Sequence, residues 1–175
     1  MPAALLILFV VALGAAALSP VGRRATRPIG PIGRDEEDRL AMLTPDTRRF
    51  AVHLRERLRA TGIETFLGET WRSPERQREL YEEGRRTAVL EPGWHSFGRA
   101  FHLYILDPMT GKLDTKARRQ DLYESMHAIA RKMGGHVYGY RELRTRSGKS
   151  FRDPHHVEYR AGYTLAELRR KTGYA

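Results

Sequence analysis

The sequence predicts an α+β fold: a small, mainly antiparallel sheet flanked by helices. Apolar residues recur at helical spacing in some stretches and in alternation in others, without the regular β-α-β rhythm of a doubly wound sheet. Turn and stop signals built from Gly, Pro and Asp separate these stretches. The 175 residues, 41% hydrophobic and 30% charged, suit one compact domain with an appendage.

The appendage comes first. Pro2 to Leu18 carries no charge and is dominated by Ala, Leu, Ile and Val. Its length falls between a signal-peptide apolar region and a full span of about 20 residues. Residues 1–20 are therefore expected to be a signal peptide or a membrane anchor, with residues 3–18 as the attachment. Ala15-Ala16-Ala17 offers a small-residue cleavage site, whereas Arg23, Arg24 and Arg27 follow the apolar run instead of preceding it. Residues 21–38, including Pro28-Ile29-Gly30-Pro31-Ile32-Gly33, read as a Pro/Gly/Arg linker, and residues 39–175 as the folded domain.

Within the domain, Thr44-Pro45-Asp46 starts a helix that runs to about Ala60, with Phe50, Leu54 and Leu58 on one face and Thr61-Gly62 as its stop. Ile63 to Leu67 reads as a short strand. Ser73-Pro74 opens a helix from Glu75 to about Arg85 whose expected inner face is Leu80, Tyr81 and Gly84. Ala100 to Leu106 is a strand closed by Asp107-Pro108. Alternation puts Phe101, Leu103 and Ile105 on one face and Ala100, His102 and Tyr104 on the other. A helix is expected from about Lys116 to Met133, with Leu122, Met126, Ile129, Ala130 and Met133 as its stripe and Gly134-Gly135 as terminator. Val137 to Tyr140 and Phe151 to Tyr159 read as strands joined by a basic loop, Arg141 to Ser150.

Two histidine-bearing segments carry the chemistry: His95-Ser96-Phe97-Gly98-Arg99-Ala100-Phe101-His102, and Asp153-Pro154-His155-His156. A catalytic zinc takes three protein ligands and leaves a fourth position open, and imidazole is a common ligand. His95, His102 and His156 fill those three places. If the last strand pairs near Ala100 to Leu106, His102 and His156 face one another. Asp153, three residues before His156, supplies a carboxylate able to take a proton from an attacking water. His155 falls on the opposite face of a regular strand, which suits packing or substrate contact. His53, His127 and His136 have no motif support.

These motifs resemble the zinc D-alanyl-D-alanine carboxypeptidase and L-alanyl-D-glutamate endopeptidase family, which shares its metal-site fold with the hedgehog signalling domain. The family pattern is S-x-H-x-x-G-x-A-x-D, preceded by R-S-x-x-x-Q and followed by acid-x-x-His. Arg72-Ser73-Pro74-Glu75-Arg76-Gln77 matches the early element, His95, Gly98 and Ala100 the central one, and Asp153 and His156 the late one. The match runs from about Leu40 to Tyr159. Gly93 stands at the family's serine, and Pro154 directly follows the acid. His102 stands where the family has an aspartate ligand, which leaves a zinc site one unit more positive.

The resemblance implies zinc-assisted amide hydrolysis in the peptide stems of bacterial peptidoglycan, by a carboxypeptidase or an endopeptidase. It makes Asp153 the proton acceptor and Arg72 the group that stabilises the oxyanion or holds a substrate carboxylate. The alternative is a catalytically degenerate wall-binding module of the same fold, with His102 as the mark of lost activity.

The apolar leader and the basic charge agree with an exported wall enzyme, while the cysteine count leaves the redox compartment open. The absence of cysteine excludes disulfides and thiolate metal sites. The net charge of +10 suits a polyanionic partner such as the cell wall, a membrane surface or nucleic acid. Arg141, Arg144, Arg146 and Lys149 cluster in one loop, but no nucleic-acid recognition motif accompanies them. The expected location is exported, periplasmic or facing the cell wall, with possible inner-membrane anchoring, and the expected state monomeric without nucleic acid.

Overall fold

The computed structural model describes residues 34–84, 90–145 and 147–174. The expected leader and most of the linker lie outside these residues. Among the described residues no helix is long and apolar enough to cross a membrane.

Folding begins earlier than residue 39. Helix α1, Arg34–Ala41, occupies the end of the stretch assigned to the linker. Glu36 explains the difference: it is 4% exposed, pairs with the buried Arg55 at 3.2 Å and accepts the backbone N–H of Leu67. A buried guanidinium needs such a partner, so tertiary structure recruits this short polar helix.

Helix α2, Pro45–Ala60, has the expected bounds and buries Phe50, Leu54 and Leu58. Thr44 occupies the capping position without capping by its side chain; the Asp46 carboxylate accepts the N–H of Thr47 instead. Strand β1, Thr65–Leu67, follows. Helix α3, Pro74–Glu82, is capped by Ser73, whose hydroxyl accepts from the N–H of Arg76. Its expected inner face is corrected: Leu80, Tyr81 and Gly84 are only half-buried, and Gln77 is the buried residue.

Strand β2, Ala100–Ile105, is central to the sheet. It pairs with β1 on one side and with β6, His156–Glu158, on the other, while β3, His136–Val137, lies beyond β6. All these pairings are antiparallel. Phe101, Leu103 and Ile105 are fully buried and pack with Leu54, Leu58 and Met126. Each such side chain contributes about 1.5–3 kcal/mol relative to exposure. By alternation, His102, His156 and Glu158 belong to the opposite face of the sheet.

Helix α4, Gln120–Lys132, starts four residues later than about Lys116, and its buried stripe is rotated from the expected one. Tyr123, Met126, His127 and Ala130 point inward, whereas Leu122, Ile129 and Met133 are partly buried. Polar partners cause the rotation. The Tyr123 hydroxyl accepts the N–H of Ile105 and donates to the Asp114 carbonyl. His127 Nε2 lies 2.8 Å from the Pro154 carbonyl oxygen.

The expected strand Phe151 to Tyr159 divides in two. Ser150–Phe151, β5, forms a hairpin with β4, Leu143–Arg144, inside the stretch read as a loop. Asp153 and Pro154 turn the chain before β6, because proline cannot donate to a sheet ladder. Helix α5, Leu165–Thr172, closes the domain with a capping box between Thr164 and Glu167, and its Leu168 packs with Trp94 and Ala100.

Candidate metal centre

His95 sits on a 3₁₀ turn, Trp94–Phe97, ended by Gly98 in the left-handed conformation. That turn needs glycine twice over: φ is +62°, and an added Cβ would lie 2.8 Å from the Met42 carbonyl oxygen. His102 projects from the middle of β2, and register places His156 directly opposite it. The ring centroids of the three imidazoles lie 4.9 to 5.6 Å apart. One nitrogen from each can be chosen so that all lie within 4.8 Å of one another.

This donor set fits a metal such as zinc. Zinc binds imidazole nitrogen at about 2.0–2.1 Å, so the three rings would draw closer together on binding it. His95 is 5% exposed, and neither ring nitrogen has a partner at hydrogen-bond geometry, although a weak backbone interaction with Thr70 favours its charged form. Burial, followed by repulsion from His102, His156 and Arg72, holds the His95 pKa well below the usual imidazole range. The ring is therefore neutral at pH 7, the state a metal ligand requires.

Asp153 stands beside the cluster. Its Oδ2 lies 3.5 Å from His102 Nε2 and 4.0 Å from His156 Nδ1, and its Oδ1 lies 3.9 Å from His155 Nδ1. Burial raises its pKa, but the hydrogen bond and charge of His102, with the charges of His156 and His155, outweigh burial and hold it well below the usual carboxylate range.

Arg72 lines the same cleft as His95, His102, Asp153 and His156. Its guanidinium is fixed by ion-pair contacts through Nε and Nη2 to Glu69, and Nη1 donates to Gln77 Oε1 at 2.8 Å. The Glu69 carboxylate offsets the guanidinium charge and, with Gln77, fixes its orientation. Trp94, Leu143, Phe151 and Leu165 supply apolar walls. The β4–β5 hairpin thus walls the cleft through Leu143 and Phe151, while its basic residues Arg141, Arg144 and Lys149 face solvent. Arg146 lies outside the described residues.

His155 does not join the cluster. It packs between Tyr104 and Tyr123, and its Nε2 lies 3.2 Å from the Asp114 carbonyl oxygen. His136 is half-buried against Tyr138, and His53 is exposed.

Two site residues had no assigned role from sequence, Gln77 and Glu158, whereas Glu69 was an expected ion-pair partner of Arg72. Gln77 lies within the R-S-x-x-x-Q element, but its role as an acceptor for Arg72 depends on the start of α3 folding back. Glu158 is fully buried and accepts from His156 and Arg160. Burial raises its pKa, and those bonds together with Tyr138 lower it below the usual range. Alternation with His156 was the available signal for this carboxylate.

No protein-family profile and no curated protein matches the chain. Solved structures do. The L-Ala D-Glu endopeptidase ChiX of Serratia marcescens superimposes with a TM-score of 0.51 at 22% identity, covering 75% of this chain and 88% of that one. The LD-carboxypeptidase LdcB, whose structure concerns peptidoglycan recognition, superimposes with a TM-score of 0.53 at 15% identity. That match covers 75% of this chain and 64% of LdcB. The chain therefore has the α+β fold of these two peptidases, the fold to which its motifs point.

Proposed function

We propose that this protein is an exported zinc peptidase that hydrolyses amide bonds in the peptide stems of bacterial peptidoglycan. The observation that carries the reading is the convergence of His95, His102 and His156 beside Asp153, in a cleft that also contains Arg72. The likeness to two peptidases supports the substrate class, and the net charge of +10 suits an acidic wall. The apolar run from Pro2 to Leu18 supports export, with cleavage or anchoring as its two outcomes.

His95, His102 and His156 would hold the metal. When bound, zinc supplies Lewis-acid polarisation of the scissile carbonyl and activation of water. Asp153, an ionised carboxylate at the mouth of the cluster, accepts the proton of the attacking water and returns it to the leaving amine. Arg72, held in place by Glu69 and Gln77, donates to a substrate carboxylate or to the developing oxyanion. Trp94, Leu143 and Phe151 exclude water and pack against the stem. The monomer contains every group these steps use.

A second reading rests on His102, which occupies the position of the family's aspartate: a wall-binding module that has lost catalysis. Metal analysis combined with mass spectrometry of peptidoglycan digests separates the two. The wild type is expected to contain about one equivalent of zinc and to release stem peptides, and Asp153→Ala to abolish release. His102→Asp restores the family ligand and reads whether the imidazole limits turnover. A metal-free wild type that yields no products would establish the degenerate module.

A further inference from the structure

Glu158 has no part in the steps above, yet it is a fully buried carboxylate on the same sheet face as His156. His156 Nε2 lies 3.0 Å from Glu158 Oε1. The other ring nitrogen, Nδ1, is turned toward Asp153 Oδ2, the same oxygen that lies near His102 Nε2. Nδ1 is thus the nitrogen of His156 that faces the cluster, and Nε2 is the one already engaged.

We propose that Glu158 is a positioning residue for the metal centre: by accepting the Nε2 proton of His156 it leaves the Nδ1 lone pair directed at the site. The inference rests on the metal-site reading above. An ionised carboxylate can only accept, and a neutral imidazole carries one N–H, so a proton held at Nε2 leaves Nδ1 free. Arg160 donates Nε–H to Glu158 Oε2 at 2.7 Å, so the two carboxylate oxygens face separate partners. Tyr138 stacks on His156 with centroids 5.1 Å apart and planes at 28°, which restrains the tilt of the ring but does not distinguish its nitrogens. Glu158 makes that distinction.

The network also reaches the second ligand segment. The Arg160 guanidinium lies 5.1 Å from the ring centroid of Trp94, the residue before His95. Glu158 and Arg160 therefore connect β6 to the turn that carries His95. Burial of a carboxylate is a poor source of stability compared with an apolar side chain of similar size. Its fully buried position against a candidate ligand accords with a role in orienting that ligand.

The test is a zinc competition titration on the full chain, comparing wild type with Glu158→Gln. Glutamine has one acceptor oxygen where the carboxylate has two, and its amide can donate to Nε2 and drive the proton to Nδ1. Zinc affinity is expected to fall about 10–100-fold, while circular dichroism and thermal unfolding of the metal-free protein show the fold retained. Nitrogen-15 NMR of the metal-free wild type is expected to show His156 protonated at Nε2. Zinc binding by Glu158→Gln within about twofold of wild type overturns the inference, as does an Nδ1–H tautomer in the wild type, and both leave the metal site standing. A wild type that binds no zinc removes the metal site itself and the inference with it. If Glu158→Gln does not fold, the wild-type tautomer decides alone.

Discussion

Replacing Gly98 by alanine is expected to destabilise the domain and weaken the metal centre together. Gly98 has φ +62° and ψ +28°, where a side chain costs about 1–2 kcal/mol. The new Cβ would also lie 2.8 Å from the Met42 carbonyl oxygen and 3.2 Å from the Thr44 nitrogen, both backbone atoms that cannot rotate away. Overpacking of this kind adds about 1–3 kcal/mol, for a total of about 2–5 kcal/mol. Gly111→Ala is the control: its φ is +66°, with no atom within 4 Å of an added Cβ, so only the conformational cost applies. Urea unfolding at 25 °C measures both, and with m of about 1–3 kcal/mol/M the midpoint of Gly98→Ala should fall by about 0.7–5 M, roughly 2 M at mid-range. Relief of the clash must displace the turn carrying His95, so zinc affinity should fall in Gly98→Ala and remain at the wild-type level in Gly111→Ala. Equal destabilisation by the two variants would refute the role assigned to the Met42 to Thr44 contact.

Two further perturbations probe the frame and its protonation. Glu36→Ala leaves the Arg55 guanidinium buried without its carboxylate and should cost about 3–5 kcal/mol in urea unfolding; a loss below about 1 kcal/mol would place α1 outside the cooperative fold. Burial depresses the pKa of His127 below its unfolded value despite the opposing bond to the Pro154 carbonyl. The unfolded chain therefore binds more protons as the pH falls, so the contribution is complete above about pH 6.5 and is lost as the pH drops through the folded value. Thermal midpoints between about pH 5 and 8 should decline toward acid less steeply for His127→Gln than for wild type. An unchanged slope would show that His127 does not titrate with unfolding.

Strand β2 was legible because period-two alternation is a local property, and Phe101, Leu103 and Ile105 occupy the buried face it predicts. Helix α2 was legible for the same reason, its proline start and Thr61-Gly62 stop bracketing one apolar stripe. Helix α4 was legible in part: Met126 and Ala130 are buried as expected, but the amphipathic pattern alone does not show that Tyr123 and His127 have buried acceptors on other elements. The β4–β5 hairpin resembles a loop by composition: Leu143 and Phe151 gain their role only by walling the cleft. Residues 34–38 of helix α1 fell in the expected linker because their value lies in one buried ion pair formed across the fold.

For the candidate site, the sequence by itself determined the residue types and their order. Histidines at 95, 102 and 156 are able to hold a metal, and it is the resemblance to the peptidase family that joined them with Asp153 into one expected site. Only the tertiary structure decided which groups act on one another. It placed His102 opposite His156, tied Arg72 to Glu69 and Gln77, and put Glu158 against the ring nitrogen that faces away from the cluster. Hydrogen-bond direction and burial arise where distant segments meet, and a partner on one ring nitrogen directs the other toward its ligand.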